Sequence, residues 1–150
     1  MSSILERSLL IPRPRAEVFA FFADACNLER ITPAFLHFHI LTPAPIPMRS
    51  GALIDYELRL YGVRFRWKTL IEEFAPMSHF VDVQLTGPYR RWHHTHTFED
   101  APGGTRMYDR VVYEMPLGPF GAIAGALFVR RSLDRIFDYR NKTISELVSQ

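Results

Sequence analysis

Residues 82–98, DVQLTGPYRRWHHTHTF, read as two alternating strands joined by a turn at Gly87, Pro88 and Tyr89. Successive side chains of a strand point to opposite faces, so Trp92, His94, His96 and Phe98 share one face while His93, Thr95 and Thr97 share the other. The face with Trp92 and Phe98 is the apolar one and belongs to a core. His94 and His96 are therefore directed inside, where an imidazole costs free energy unless it is paired or hydrated. Any binding or catalytic chemistry is expected on this face.

The neighbouring strands extend the pattern. Directly opposed residues of antiparallel strands share a face, and a turn centred on Pro88 sets Asp82 opposite His94 and Gln84 opposite Trp92. On the following strand, Thr105 to Met115, the alternation sends Arg106, Arg110 and Glu114 to water and Met107, Asp109, Val111, Tyr113 and Met115 inward. A turn centred between Ala101 and Pro102 sets His94 opposite Asp109 and His96 opposite Met107. The expected result is a row of Asp82, His94 and Asp109 across strands about 4.8 Å apart, with His94 between two carboxylates. A one-residue slip would break it by exchanging inward for outward side chains.

Working outward, Leu5 to Ile11 predicts a first strand, ended by Pro12 and Pro14. AEVFAFFAD, with Val18, Phe21 and Phe22 at helical spacing, predicts a short helix. CNLERITP predicts a second, stopped by Pro33, because helical geometry is disfavoured before a proline. Phe35 to Leu41 is expected to be extended, and TPAPIP at 42–47 to form a loop. From Ala52 the period is two. Ile54, Tyr56, Leu58 and Leu60 face one way, Gly62 lies in a turn, and Phe65, Trp67, Thr69 and Ile71 face one way on the return. With Phe80 to Thr86, these segments predict a five-stranded meander. Val129, Leu133, Ile136, Phe137, Ile144, Leu147 and Val148 then fall in steps of three and four, the mark of a long amphipathic helix. Phe120, Ile123, Ala124 and Leu127 project to another face, which predicts an irregularity near Gly125 to Phe128.

The chain has 150 residues, 47% of them hydrophobic, and a formal charge of +2 from 18 basic and 16 acidic side chains. That length suits a single domain spanning 1–150 with a sizeable core. The small charge gives no instruction toward nucleic acid. Arg59, Arg64 and Arg66 alternate with Asp55 and Glu57 as on an ordinary solvated sheet face. Cys26 is the one cysteine, which excludes an internal disulfide and fits a reducing, cytoplasmic setting; it is expected to be a small buried residue. No stretch approaches the roughly 20 apolar residues of a membrane span, and the start lacks the order of a secretory signal. No serine or cysteine stands in a nucleophile elbow. Gly118, Gly121 and Gly125 lack the context of a phosphate loop.

Strand, two short helices, antiparallel meander and long terminal helix make an α+β chain whose sheet must be covered by that helix. The order resembles the helix-grip, or START-like, superfamily. IPRPRAEVFAFFAD, ITPAFLHFHILTP, FVDVQLTGPYRRWHHTHTFE and GGTRMYDRVVYEMPLGPFG are similar to its bacterial SRPBCC branch of polyketide cyclase/dehydrase-like proteins. The resemblance implies a curved sheet around the C-terminal helix and a hydrophobic small molecule held between them. It carries no catalytic motif that transfers residue by residue.

Several functions are open at this point. In the first, a cavity holds a polyketide-, isoprenoid- or acyl-like ligand. Its expected lining is Tyr56, Leu58, Phe65, Trp67 and Gln84, with Trp92, His96, Phe98, Met107 and Phe120. In the second, His94 is a general acid or base of a cofactor-independent cyclase or dehydratase, oriented by Asp82 and Asp109, with Tyr113 as a carbonyl donor. In the third, His94 and His96 with a carboxylate hold a zinc-like ion, but no fourth ligand stands out, so neither metal nor cofactor is expected. An interaction module, at the ribosome or on another protein, would show a filled core and a large exposed apolar patch. A homodimer through a strand edge or the terminal helix is compatible with all of them.

Overall fold

The computed structural model describes residues 2–60, 62–115 and 119–148, the last without the side chains of 119–126. Phe120 therefore lies outside the described side chains, and the irregularity expected near Gly125 to Phe128 is corrected: the backbone is helical without interruption there, with Leu127 and Phe128 exposed. The elements are β1 (Ser3–Ile11), α1 (Arg15–Phe22), two short 3-10 helices (Ala25–Ile31 and Ala34–Leu36), β2 (His39–Ile40), β3 (Leu53–Leu60), β4 (Val63–Ala75), β5 (His79–Thr86), β6 (Arg91–Ala101), β7 (Gly104–Glu114) and α2 (Pro119–Val148). The strands form one curved antiparallel sheet in the order β1-β7-β6-β5-β4-β3-β2, so β1 closes against the last strand. The α+β helix-grip architecture expected from the sequence is the one observed. Among the described residues no helix is long and apolar enough to cross a membrane.

Two further expectations are corrected. Only His39–Ile40 of the stretch from Phe35 to Leu41 is strand; the chain first makes a 3-10 turn that ends with His37 at φ 47°. Cys26 is exposed, not buried. It sits in a 3-10 helix, whose period is three residues, and Ala25 and Ile31 occupy the buried edge of that helix. The Asp24 carboxylate caps it by accepting from the Cys26 N–H at 3.0 Å.

The concave face of the sheet is filled differently at its two ends. Under α1, Phe19 packs on Phe74, Phe80 and Phe98 with ring centroids 5.5, 6.2 and 5.2 Å away, and Ile11, Met107 and Ile144 complete a dense aromatic and aliphatic plug. At the other end, α2 lays Val129, Leu133 and Phe137 toward Tyr56 and Leu58 of β3, Trp67 of β4 and Trp92 of β6. Polar ties on the outer side of α2 fix the helix to β1: Arg7 reaches Asp134 at 2.5 Å, and Arg130 donates to the Ile4 carbonyl at 2.7 Å.

The turn between β6 and β7 is tightly specified. Gly103 and Gly104 hold φ of 88° and 153°, a region that side-chain-bearing residues rarely enter. A Cβ on Gly104 would overlap the Ile11 carbonyl oxygen and lie 2.8 Å from the Pro12 Cα. Gly104→Ala is thus expected to cost on the order of 3 kcal/mol in urea unfolding. Gly62→Ala, at φ 78° with nothing within 4 Å, is expected to cost about 1 kcal/mol.

Candidate functional site

Asp82 opposes His94 across β5 and β6, as the Pro88-centred turn predicts. Gln84 is not part of the inner wall. Its carboxamide closes the same turn, donating to the Tyr89 carbonyl at 2.6 Å and accepting from the Tyr89 N–H at 3.1 Å. Between β6 and β7 the expected register is corrected by two residues: His96 opposes Asp109, His94 opposes Val111, and Phe98 opposes Met107. The turn is Pro102-Gly103, with Ala101 opposite Gly104, one residue beyond the expected centre. Moving a turn by one residue moves the pairing by two and preserves the faces, so the inward set survives.

The row becomes a knot that includes His96. His94 Nε2 donates to Asp109 Oδ1 at 2.8 Å, and His96 Nε2 donates to Asp82 Oδ2 at 2.5 Å. The other nitrogens face the opposite carboxylates: His94 Nδ1 lies 3.7 Å from Asp82 Oδ2, and His96 Nδ1 lies 3.4 Å from Asp109 Oδ1. The two imidazoles stack with centroids 3.7 Å apart, and Phe80 stacks on the far face of His96 at 4.1 Å. Arg140 of α2 completes the group, with Nη2 3.5 Å from Asp109 Oδ1 and 3.4 Å from His96 Nδ1.

Arg140 was not among the site residues expected from the sequence. It is 6% exposed and fully inside the protein. The signal was present: Arg140 stands three residues after Phe137 and four before Ile144, in the gap of the α2 apolar stripe. A cation there must find a buried anion, and Asp109 is that anion.

Burial is the largest influence on each ionisable group of the knot, and the neighbours decide the outcome. Desolvation and the adjacent His96 push His94 down to about 4, so it is neutral at pH 7. Burial also works against the His96 cation, but hydrogen bonds to Asp109 and Asp82 outweigh it and raise His96 above its usual value. Burial would raise both carboxyls; His94 and His96 hold Asp82 below the carboxylate range, and Arg140 with the two histidines holds Asp109 well below it. Two carboxylates and Arg140 thus surround a neutral His94, and the same carboxylates favour the protonated form of His96.

These shifts set the response to pH. The unfolded chain takes up a proton at His94 near its usual 6.5, and the folded chain takes it up near 4. Stability therefore falls as pH drops from about 6.5 to about 4, by on the order of 3 kcal/mol. His96 acts in the opposite sense, its contribution being complete below 6.5 and lost as pH rises through its higher folded value. Urea unfolding at a series of pH values should show the acid slope, and His94→Gln should flatten it.

The knot forms one side of a cavity of about 180 Å³ between the sheet, the 3-10 helices and α2. Of the residues expected from the sequence, Tyr56, Leu58, Trp67, Trp92 and His96 line it, together with Asp82 and His94. Asp109 is not in the wall. Phe65 and Tyr113 pack in the surrounding core cluster, Tyr113 beside Trp92 with centroids 6.4 Å apart. Phe98 and Met107 are inward but belong to the plug under α1. Arg140, Leu133, Phe137, Phe38 and Ile54 were not singled out as lining and do line it. The Tyr56 hydroxyl pairs with Thr69 Oγ1 at 2.9 Å, and burial with nearby Asp82 holds its pKa far above the usual value. Trp67 Nε1 and Arg140 Nε are buried donors without hydrogen-bond partners among the described residues. Trp67 stands edge-on to Trp92 at 5.3 Å, and the Arg140 guanidinium lies 5.5 and 5.6 Å from the Phe22 and Phe137 ring centres.

Known proteins share this geometry at the level of fold. The family described as "Polyketide cyclase / dehydrase and lipid transport" matches residues 11–137. No curated protein sequence matches the chain. Among solved structures, TTHA0849 from Thermus thermophilus is 18% identical with a TM-score of 0.73, the alignment covering 99% of this chain and 97% of that one. Zhui aromatase/cyclase from Streptomyces sp. R1128 is 13% identical with a TM-score of 0.76, covering 99% and 94%. The di-domain ARO/CYC StfQ of the steffimycin biosynthetic pathway is 12% identical with a TM-score of 0.77; 99% of this chain spans 51% of that protein. At these identities the likeness is one of fold alone.

Proposed function

The chain belongs to the polyketide cyclase/dehydrase and lipid-transport family, and from that premise we propose that it binds a ring-sized apolar or aromatic molecule, of polyketide or isoprenoid type, between the sheet and α2. The observation that carries this reading is the cavity: about 180 Å³ of space walled by aromatic and aliphatic side chains, with one cluster of polar side chains on its side. An apolar cavity of about 150 Å³ is large enough to take up benzene. A few placed polar atoms in an apolar wall are what orient a small ligand. Native mass spectrometry of gently purified protein is expected to show a retained apolar compound. Titration with 2-acetylnaphthalene is expected to quench Trp67 and Trp92 fluorescence saturably at one equivalent. A linear, unsaturable response would overturn the reading.

A second reading is supported by His94, which is neutral at pH 7, lines the cavity and is oriented through Nε2 by Asp109. The unbonded Nδ1 of this neutral imidazole can accept a proton next to a ligand carbonyl, the first step of a cyclisation or dehydration; with a pKa of about 4 it is a weak base, so slow turnover is expected. In D₂O the protein should then catalyse exchange of the methyl protons of bound 2-acetylnaphthalene, followed by NMR. His94→Gln should abolish that exchange and change affinity by less than about threefold. Exchange at the buffer rate in the wild-type protein would leave binding without catalysis.

A further inference from the structure

Asp109 sits behind the two histidines and engages one nitrogen of each ring. It accepts from His94 Nε2 at 2.8 Å and faces His96 Nδ1 at 3.4 Å. The remaining nitrogens, His94 Nδ1 and His96 Nε2, are both turned to the same atom, Asp82 Oδ2, at 3.7 and 2.5 Å. At 3.7 Å the His94 nitrogen is beyond hydrogen-bond reach. The three donor atoms of Asp82, His94 and His96 lie within 4.8 Å of one another. All three residues line the cavity, and Asp109 does not.

We propose that Asp82, His94 and His96 form a binding site for a divalent transition-metal ion, zinc or ferrous iron in class, open to the cavity. Two imidazoles and one carboxylate suit such an ion, with bonds of about 2.0–2.2 Å. The ion takes the place of the His96–Asp82 hydrogen bond. Donors about 2.1 Å from one tetrahedral ion stand roughly 3.4 Å apart, so that 2.5 Å contact opens, His94 Nδ1 moves in slightly from 3.7 Å, and the two stacked rings turn apart to aim their nitrogens at the ion. Asp109 is the outer partner that orients metal-ligating imidazoles. Arg140 approaches the Nδ1 side of His96, across the ring from the ion, and is neutralised by Asp109 at 3.5 Å. Position by position this matches a site with three protein ligands and free coordination positions toward a guest. The sequence offered no fourth ligand because the site needs none.

The test uses the whole protein, dialysed free of metal, with no organic ligand present, so its outcome is separate from that of the cavity reading. Calorimetry with Zn²⁺ is expected to give one equivalent bound, and Co²⁺ is expected to develop visible d–d absorption. Asp82→Asn and His96→Gln should weaken Zn²⁺ binding by about 100-fold or more, and Asp109→Asn by roughly 10-fold to 100-fold. His93→Gln and His79→Gln, which alter the His93–Glu72 and His79–Glu73 pairs of the outer surface at 3.5 and 3.2 Å, should leave it unchanged. Absence of stoichiometric binding overturns the proposal, as does binding lost in the His93 or His79 variants and kept in Asp82→Asn. If an inner variant does not fold, the imidazole ¹⁵N resonances of the wild-type protein decide. Zn²⁺ must shift His94 and His96; shifts confined to His79, His93 or other surface histidines overturn the site.

Discussion

Arg140→Met is expected to destabilise the protein by about 3–5 kcal/mol, read from urea unfolding at pH 7. Asp109 is 4% exposed, and Arg140 is the largest of the influences that keep it ionised against burial. Removing one partner of a buried pair leaves the other charge desolvated without its compensation, which costs more than the pair contributes as a whole. His94 and His96 remain on Asp109, so the variant is expected to stay folded. The coupling is testable in the same experiment. Arg140→Met/Asp109→Asn should be less destabilised than the sum of the two single variants, by between about 0.5 and 3 kcal/mol. A cost below about 1 kcal/mol for Arg140→Met would show that the helix cation does not hold the knot together.

Leu58→Trp is expected to have the largest effect on ligand binding, reducing affinity for 2-acetylnaphthalene by about 100-fold or more, or about 3 kcal/mol, in calorimetric titration. Leu58 lies on β3 in the cavity wall and is closed off from outside solvent. Added bulk in a filled core forces strain of about 1–3 kcal/mol. Added bulk beside an open cavity occupies the space a guest would take, so stability should change by less than about 1 kcal/mol. A variant that binds as the wild type does, or one that is strongly destabilised, would place the guest elsewhere or show that the space is not available.

The sequence and the structure agree where a period decides and part where a depth decides. Alternation assigned Asp82, His94, His96, Asp109 and Tyr113 to the inner face, and each is there. Alternation says nothing of position along the groove. Phe98 and Met107 are inward as expected, but α1 covers their end of the sheet, so they pack in the plug and not in the cavity. The pairing of β6 with β7 depended on which residues of Ala101-Pro102-Gly103-Gly104 make the turn. Two choices keep the same faces, and the left-handed backbone at Gly103 selects the later one. Gln84 was legible as inward by parity, yet its side chain satisfies the backbone of the Tyr89 turn. Arg140 was legible in principle: a single charge inside an otherwise apolar helical stripe is the pattern of a buried ion pair. Its partner lies on a strand distant in sequence, and only the packing of α2 over β7 brings the two together.

Ligand binding of the proposed kind requires a guest to enter the space between sheet and α2 beside the Asp-His-Arg knot. The most direct measurement is of intermolecular NOEs from the ring protons of bound 2-acetylnaphthalene to selectively labelled methyl groups. Contacts to Ile54 and Leu58 of the sheet together with Leu133 of α2, at one equivalent of 2-acetylnaphthalene, are the predicted result. NOEs confined to exposed methyls such as those of Leu53 and Leu85, or no NOEs at saturation, would contradict it.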